Sequence, residues 1–177
     1  MSTRMKEAKR WPGSEWLKNH PRPLERAYIF TRGVAEKVLP ALFRLSPRAT
    51  QWSVASGERG LKGYIFNCQM CGQCILHSTG MTCPMNCPKK LRNGPCGGTR
   101  HNGHCEVIEE KECVWQQAWR RGAQGRYGDE LMMLQPPVDW RLQDTSAWLS
   151  MIQGLDTNPP DGWKLGAGQA KEGTDER

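Results

Sequence analysis

Long apolar runs are missing from this sequence, which excludes one large class of protein. No stretch approaches the roughly 18 consecutive apolar residues that a membrane-spanning helix needs. The first residues, MSTRMKEAKRWPGSEW, also lack the apolar segment of a secretory signal peptide. Apolar residues make up only 37% of the chain, so its hydrophobic core is expected to be small. We therefore expect a small cytoplasmic protein without a membrane span.

Motifs for nucleotide cofactors are missing as well. The chain has no G-x-G-x-x-G, no Walker loop and no paired acids in an obvious catalytic arrangement. We therefore expect neither a catalytic residue nor a residue that binds an organic cofactor. The net charge of +7 raises the question of nucleic acid. Because the Lys and Arg residues are scattered among acids and are not interleaved with aromatics, nucleic-acid binding is not expected.

Cysteine is absent from most of the chain and crowded into one segment. The first three cysteines form C-x2-C-x2-C, and three thiolates at this pitch can bind one iron–sulfur cluster from a single loop, with the fourth ligand arriving from elsewhere. Eight ligands divide into two sets of four, which predicts two 4Fe–4S clusters. Spacing does not identify which later cysteine joins the first three. The candidate ligands are Cys68, Cys71, Cys74, Cys83, Cys87, Cys96, Cys105 and Cys113.

Two alternatives remain open for these cysteines. Zinc is usually bound by two C-x2-C-like pairs separated by a longer arm, and a third cysteine in the first loop has no natural place in such a site. Disulfides are typical of small secreted scaffolds, and the absent signal segment disfavours them. His77, His101 and His104 lie in the same region. Because eight cysteines already complete two sites, these histidines are interpreted as surface residues or as supports of the ligands.

Glycine, proline and basic residues surround the cysteines. Glycines such as Gly72 and Gly80 allow φ values closed to other residues, which lets backbone amides point at sulfur. Pro84 and Pro88 turn the chain away from a helix directly after Cys83 and Cys87. A basic run either compensates thiolate charge or forms a solvated loop; it comprises Lys89, Lys90, Arg92 and Arg100.

The rest of the chain is divided by composition into a few segments. The predicted fold is small and mostly irregular with a few α-helices, and a ferredoxin-like cysteine segment is stabilised by metal clusters. We expect an N-terminal arm (1–23), a helix and linker (24–63), the cysteine-rich domain (64–122), a tail that wraps over a partner (123–154) and a disordered C-terminus (155–177).

Helical periodicity is clearest between Leu24 and Leu45, where Pro40 predicts a kink or a break into two helices. Residues 46–63 are rich in Ser, Gly and Arg and are interpreted as the linker. Short helices are predicted over 114–121, with Trp115 and Trp119 on one face, and over 145–153, ending at Gly154. Residues 131–134 are predicted to form a strand or a docking segment.

The cysteine segment resembles a known family. The strings that carry the resemblance are Cys71-Gly72-x-Cys74, Gly80-Met81-Thr82-Cys83-Pro84 and Asn93-Gly94-Pro95-Cys96-Gly97-Gly98, followed by CVWQQAW and the tail string Pro136-Pro137-Val138-Asp139-Trp140-Arg141-Leu142. They are similar to the cysteine-rich C-terminal domain family of methylenetetrahydrofolate reductase. All eight cysteines fall at family positions.

The resemblance implies a specific role. Members of this family accompany a flavin-containing reductase that interconverts methylene- and methyl-tetrahydrofolate in one-carbon metabolism. The implied role is that of a non-catalytic iron–sulfur electron-transfer subunit in a hetero-oligomer, with FAD on the reductase chain and an electron-donor protein as a further partner. An adaptor of the reductase that holds zinc or a cluster and has no redox role is the alternative.

Overall fold

The computed structural model describes residues 19–155, and this part of the chain is small and mostly helical. It contains no β-strand and only two isolated bridges, between Thr99 and Cys105 and between His104 and Glu112. Helices therefore dominate more than the sequence predicted. The four helices are α1 (Pro21–Leu45), α2 (Pro47–Phe66), α3 (Val114–Gly122) and α4 (Ala147–Ile152).

Helix α1 confirms the strongest helical pattern in the sequence. It begins at Pro21. Proline is well tolerated in the first turn, because it removes only an N–H that has no helical partner. The expected arm therefore ends earlier than 23, and its residues 1–18 lie outside the described part of the chain. The helix continues through Pro40 without ending, so the predicted break into two helices is wrong. Leu39, directly before the proline, is buried.

Helix α2 replaces the predicted linker, and this prediction was wrong. Only Ser46 separates the two long helices: its N–H donates to the carbonyl of Leu42, and the Thr50 hydroxyl donates to the same carbonyl. Ala55 and Glu58 on α2 are buried. Packing of this face outweighs the low helix propensity of the glycines in α2, which a reading of composition alone could not anticipate.

Both short helices form where the sequence predicted them. Helix α3 follows the last cysteine, but Trp115 is buried and Trp119 is 59% exposed, so the two indoles have different environments. Helix α4 is capped by the Ser146 hydroxyl, which accepts from the N–H of Leu149. It ends at Ile152, and Gly154, whose φ is +68°, follows two residues later.

The hydrophobic core lies at the first cysteines. Leu76, Met81, Cys83 and Met85 form one buried cluster. Residues packed against it come from α1, α2, the cysteine loop and the tail: Leu24, Tyr28, Phe66, Cys71, Cys74 and Val138. The core is therefore small, as the sequence predicted, and three of its members are thiols.

The tail packs on its own chain. The N–H of Asp139 donates to Gln73 Oε1, the Gln143 amide donates to the carbonyl of Gln69, and the N–H of Asp144 donates to the carbonyl of Met70. These bonds place residues 139–144 beside the first cysteine loop. Residues 131–134 form no strand: Gly128–Met132 is a 3₁₀ turn.

No helix among residues 19–155 combines the length and the apolarity needed to cross a membrane. The predicted C-terminal segment lies outside the described residues beyond Leu155.

Candidate metal centre

Four thiols line one small cavity beneath α2 and α4. They are Cys68, Cys71, Cys74 and Cys83, and the cavity walls also include Gln73, Lys62 and Arg92. The loop 67–74 leaves the end of α2 and presents the first three, while the fourth arrives after the turn 76–81. Cys83 is thus the later cysteine that lines the same cavity as the first three thiols.

The pKa values of three of these thiols reflect how close the four lie to one another. Burial raises the pKa of Cys83 far above its ordinary value, and the charges of Cys68, Cys71 and Cys74 raise it further. Burial, together with the charge of Cys74, raises the pKa of Cys68 to about 11. Burial also raises the pKa of Cys71. Without a bound cation Cys68, Cys71 and Cys83 are therefore neutral thiols at pH 7, and a metal that binds them must displace their protons.

Backbone amides point at sulfur, as the glycine-rich sequence predicted. The N–H of Met70 donates to Cys68 Sγ at 3.4 Å, and the N–H of Gly98 donates to Cys96 Sγ at 3.4 Å. Met70 and Gly72 both adopt positive φ, +48° and +73°, which turns the loop back on itself around Cys71. A side chain at position 72 would overlap the carbonyl oxygen of Leu142.

Two cations lie next to the first four thiols. Lys62 on α2 donates to Glu58 at 2.9 Å and lies over the Trp148 ring, 5.1 Å from its centroid. Burial opposes its charge, but Cys74 and Glu58 outweigh burial and the pKa of Lys62 rises. Arg92 is buried and donates to the carbonyl of Gln73, and its charge moderates the raised pKa of Cys71. Arg92 was among the predicted basic residues, whereas Lys62 was missed because its helix was interpreted as a linker.

Gln73 and Tyr28 are further residues that the sequence did not single out. Gln73 is 1% exposed, its Oε1 accepts from Asp139, and its Nε2 has no acceptor among the described residues. This buried donor lies in the wall of the thiol cavity. Burial and the charge of Cys74 raise the pKa of Tyr28 to about 12. The one signal for Gln73 was its position between Cys71 and Cys74.

The other four cysteines lie in the following loops and are gathered less closely. The Thr99 hydroxyl donates to Cys113 Sγ at 3.3 Å, and Thr99 also forms the bridge to Cys105. Cys96 is exposed and lies beside Glu106, which pairs with Lys89. Cys87 is buried, and its neighbour Asn86 accepts a hydrogen bond from Lys111 of the loop that ends at Cys113.

The remaining predicted residues of this region have other partners. His77 stacks on Tyr28 and pairs with Glu130, and His104 Nδ1 lies 2.7 Å from the carbonyl of Glu109. Arg100 pairs with the Glu109 carboxylate at the surface, as in a solvated loop. Lys90 donates to the carbonyl of Met85. All eight cysteines are free thiols, so the structure contains no disulfide among them.

The donor set fits an iron–sulfur cluster chemically. Soft thiols, N–H groups aimed at sulfur, a buried amide donor at Gln73 and two adjacent cations are what an anionic cluster requires. Among residues 19–155, however, no three or more His, Cys, Asp or Glu side chains are grouped so that they could hold a metal ion as they stand. The first four thiols thus share one neighbourhood without closed ligand geometry.

Fold and site together define a small helical protein in which a cysteine-rich loop region is enclosed by two long helices and a capped tail helix. Comparison with protein families identifies the family of the chain. The family model described as methylene-tetrahydrofolate reductase C terminal matches residues 48–141, which is more than half of the chain, and the chain belongs to this family. No curated protein and no solved structure matches the chain. The family links the chain to methylenetetrahydrofolate reductase and folate metabolism.

Proposed function

We propose that this chain is the iron–sulfur electron-transfer subunit of a flavin-containing methylenetetrahydrofolate reductase in the cytoplasm. Two 4Fe–4S clusters pass electrons from a donor protein to the FAD of the reductase chain. Cys68, Cys71, Cys74 and Cys83 hold one cluster. The other is held by Cys87, Cys96, Cys105 and Cys113.

The observation that carries the proposal is the gathering of four thiols around one small cavity. Cysteines kept only for packing need no adjacent cation, yet Lys62 and Arg92 are both held beside these four. Lys62 already pairs with Glu58, and four thiolate ligands would add negative charge close to both cations. Membership in the reductase family supports the reductase chain as the partner.

When bound, an iron–sulfur cluster accepts and releases single electrons. The chain's own residues then set the reduction potential of the cluster. The N–H of Met70 and the charges of Lys62 and Arg92 stabilise additional negative charge near Cys68, Cys71 and Cys74. The apolar residues Leu76, Met81 and Met85 exclude water from the same region.

Anaerobic purification tests the proposal. We expect about eight iron and eight acid-labile sulfide per chain, a reversible redox transition, and co-elution with the purified flavin-containing reductase. Electron flow is then measured by reduction of the reductase flavin after the loaded chain has been reduced with dithionite and desalted. A chain that contains zinc without iron, or iron that cannot be reduced reversibly, contradicts the electron-transfer role.

A structural adaptor is the second candidate function, and one observation favours it. Cys83, Cys71 and Cys74 are part of the hydrophobic core, so any metal bound there also holds the core together. The adaptor predicts a metal that is needed for folding and for reductase binding but shows no redox transition. A redox titration of the folded, metal-loaded chain therefore separates the two functions.

A further inference from the structure

Helix α1 carries an exposed apolar face that nothing among residues 19–155 covers. Its members recur at helical spacing, and their exposed fractions range from 44% to 82%. At 1.5 Å per residue the face is about 22 Å long. We call it the α1 stripe; it consists of Phe30, Val34, Val38, Leu42 and Leu45. The opposite side of the helix is already occupied, because Tyr28 packs on the core and Glu25 and Leu39 are buried.

A row of cations follows one flank of the stripe. Arg26, Lys37 and Arg44 lie within about 20° of one another around the helix axis, next to Phe30 and Val34. All three are exposed, and none forms an ion pair or side-chain hydrogen bond within the described chain. Arg32, by contrast, pairs with Glu36. The row is therefore available to carboxylates of another molecule.

The other flank carries small side chains. Ala35 lies there, next to Thr31 at the edge of the stripe, and the Thr31 hydroxyl donates to the carbonyls of Ala27 and Tyr28 within the helix. Because this hydroxyl is already satisfied, the flank needs no polar partner and allows close approach of another backbone. The surface is thus asymmetric, with cations on one side of the apolar stripe only.

This asymmetry selects among the possible occupants. In an antiparallel dimer each flank faces its own copy, so the cation row would meet a second cation row on a chain whose net charge is already +7. A membrane surrounds an inserted helix with headgroups on both sides and favours cations on both flanks. A protein groove with apolar walls and carboxylates along one edge matches the surface as it is.

We infer that the α1 stripe and its cation row are the docking surface for the reductase chain, which offers an apolar groove edged by Asp or Glu on one side. This inference rests on the proposed function. The family match begins at residue 48, within α2, so the surface lies outside the matched region and nothing in the match assigns it.

Matched substitutions in the full metal-loaded chain test the inference. Val34→Asp places a charge in the stripe, and Leu61→Asp places the same charge at an exposed apolar position of α2. Lys37→Glu reverses a charge in the row, and Arg48→Glu reverses an exposed cation of α2 that has no ion pair among the described residues. Affinity for the purified reductase is measured by calorimetry at low and high salt, after iron content and far-UV circular dichroism confirm that each variant is intact.

We expect Val34→Asp to weaken binding by about 30-fold or more, because a carboxylate must then be desolvated in an apolar groove. Lys37→Glu should weaken binding by about tenfold and reduce its salt dependence. The two α2 variants should stay within about twofold of the unchanged chain. The inference is overturned if Val34→Asp and Lys37→Glu bind like their α2 controls.

Two further outcomes are distinguishable. If the unchanged, iron-loaded chain does not bind the reductase, both the docking surface and the partner in the proposed function are wrong, while the clusters stand. If Val34→Asp instead abolishes self-association or binding to anionic lipid vesicles and leaves reductase affinity unaltered, the stripe serves a different occupant and the inference is overturned alone.

Discussion

Cys83 and Cys96 are opposite extremes among the eight thiols. Cys83 is 6% exposed and lies in the core, where burial and three neighbouring thiols raise its pKa. Cys96 is exposed at the surface next to Lys89. Because alkylating reagents react with accessible thiolates, the two should differ strongly in reactivity.

In the metal-free chain at pH 8, iodoacetamide should modify Cys96 at least about tenfold faster than Cys83. Peptide mass spectrometry of quenched samples gives both rates from one experiment. Loading with iron and sulfide should protect Cys96 as well, since ligation removes the free thiolate. Unchanged reactivity of Cys96 after loading would exclude it as a ligand.

Lys62 should influence the reduction potential of the cluster that we propose on the first four thiols. Removing its charge by Lys62→Gln leaves added negative charge less stabilised, so the midpoint potential should become more negative. Lys62→Arg retains the charge and should change the potential less. Arg48→Gln removes an exposed α2 charge that lies outside the thiol cavity, and it should leave the potential unaltered in the same spectroelectrochemical titration.

At the scale of elements, the buried carboxylate of Glu58 joins α2 to α4. It accepts from the N–H groups of Ala147 and Trp148 and from Lys62, so one side chain caps one helix while belonging to another. Anionic groups at a helix N-terminus are favoured by the helix dipole. The tail helix is therefore fixed to α2 by polar contacts as well as by the buried Leu149.

Glu58→Ala should lower the free energy of unfolding by about 2 to 4 kcal/mol, because buried donors lose their acceptor. Glu36→Ala is a close control, since Glu36 also pairs with a cation on its own helix but at the surface. It should cost no more than about 0.5 kcal/mol. Urea denaturation of the metal-loaded chain gives both values, and equal costs would show that the Glu58 contacts do not stabilise the fold.

Substitution of a glycine in α2 should stabilise the fold, whereas substitution of Gly72 should destabilise it. A side chain at Gly57 meets nothing within 4 Å, so Gly57→Ala should raise the free energy of unfolding by about 0.5 to 1 kcal/mol. Gly72→Ala should lower the free energy of unfolding, because the new side chain overlaps Leu142 and residue 72 has a positive φ. Thermal unfolding of the two variants tests both signs, and a destabilised Gly57→Ala would show that this face of α2 is not free.

The whole molecule was only partly predictable from its sequence. Periodicity identified α1, α3 and α4 because their apolar positions recur along short distances. It failed for α2, whose helical state depends on Glu58 and Ala55 packing against distant parts of the chain. Spacing identified the thiols but not the place of Cys83, because that depends on the turn at 76–81 bringing it back over the loop. Lys62 was missed because it lies on α2, whose helical state the sequence pattern did not predict.

Truncation tests how far the tail belongs to the cysteine domain. A chain that ends at Pro137 loses the tail bonds to Gln69, Met70 and Gln73 and the whole of α4. We expect it to lose about half of its iron, from the cluster that we propose on the first four thiols, and to unfold at a lower temperature. Retention of all iron with an unchanged melting temperature would show that the tail is an independent arm.

The bonds between residues 139–144 and the first cysteine loop also fix an order of events during synthesis. The ribosome synthesises Cys68, Cys71 and Cys74 some seventy residues before the segment that binds their loop. The bonds between the tail and the loop of these thiols can therefore form only after the tail has emerged. Under the proposed function, iron and sulfide must be delivered either before these bonds form or after they reopen, so delivery is a matter of timing as well as affinity.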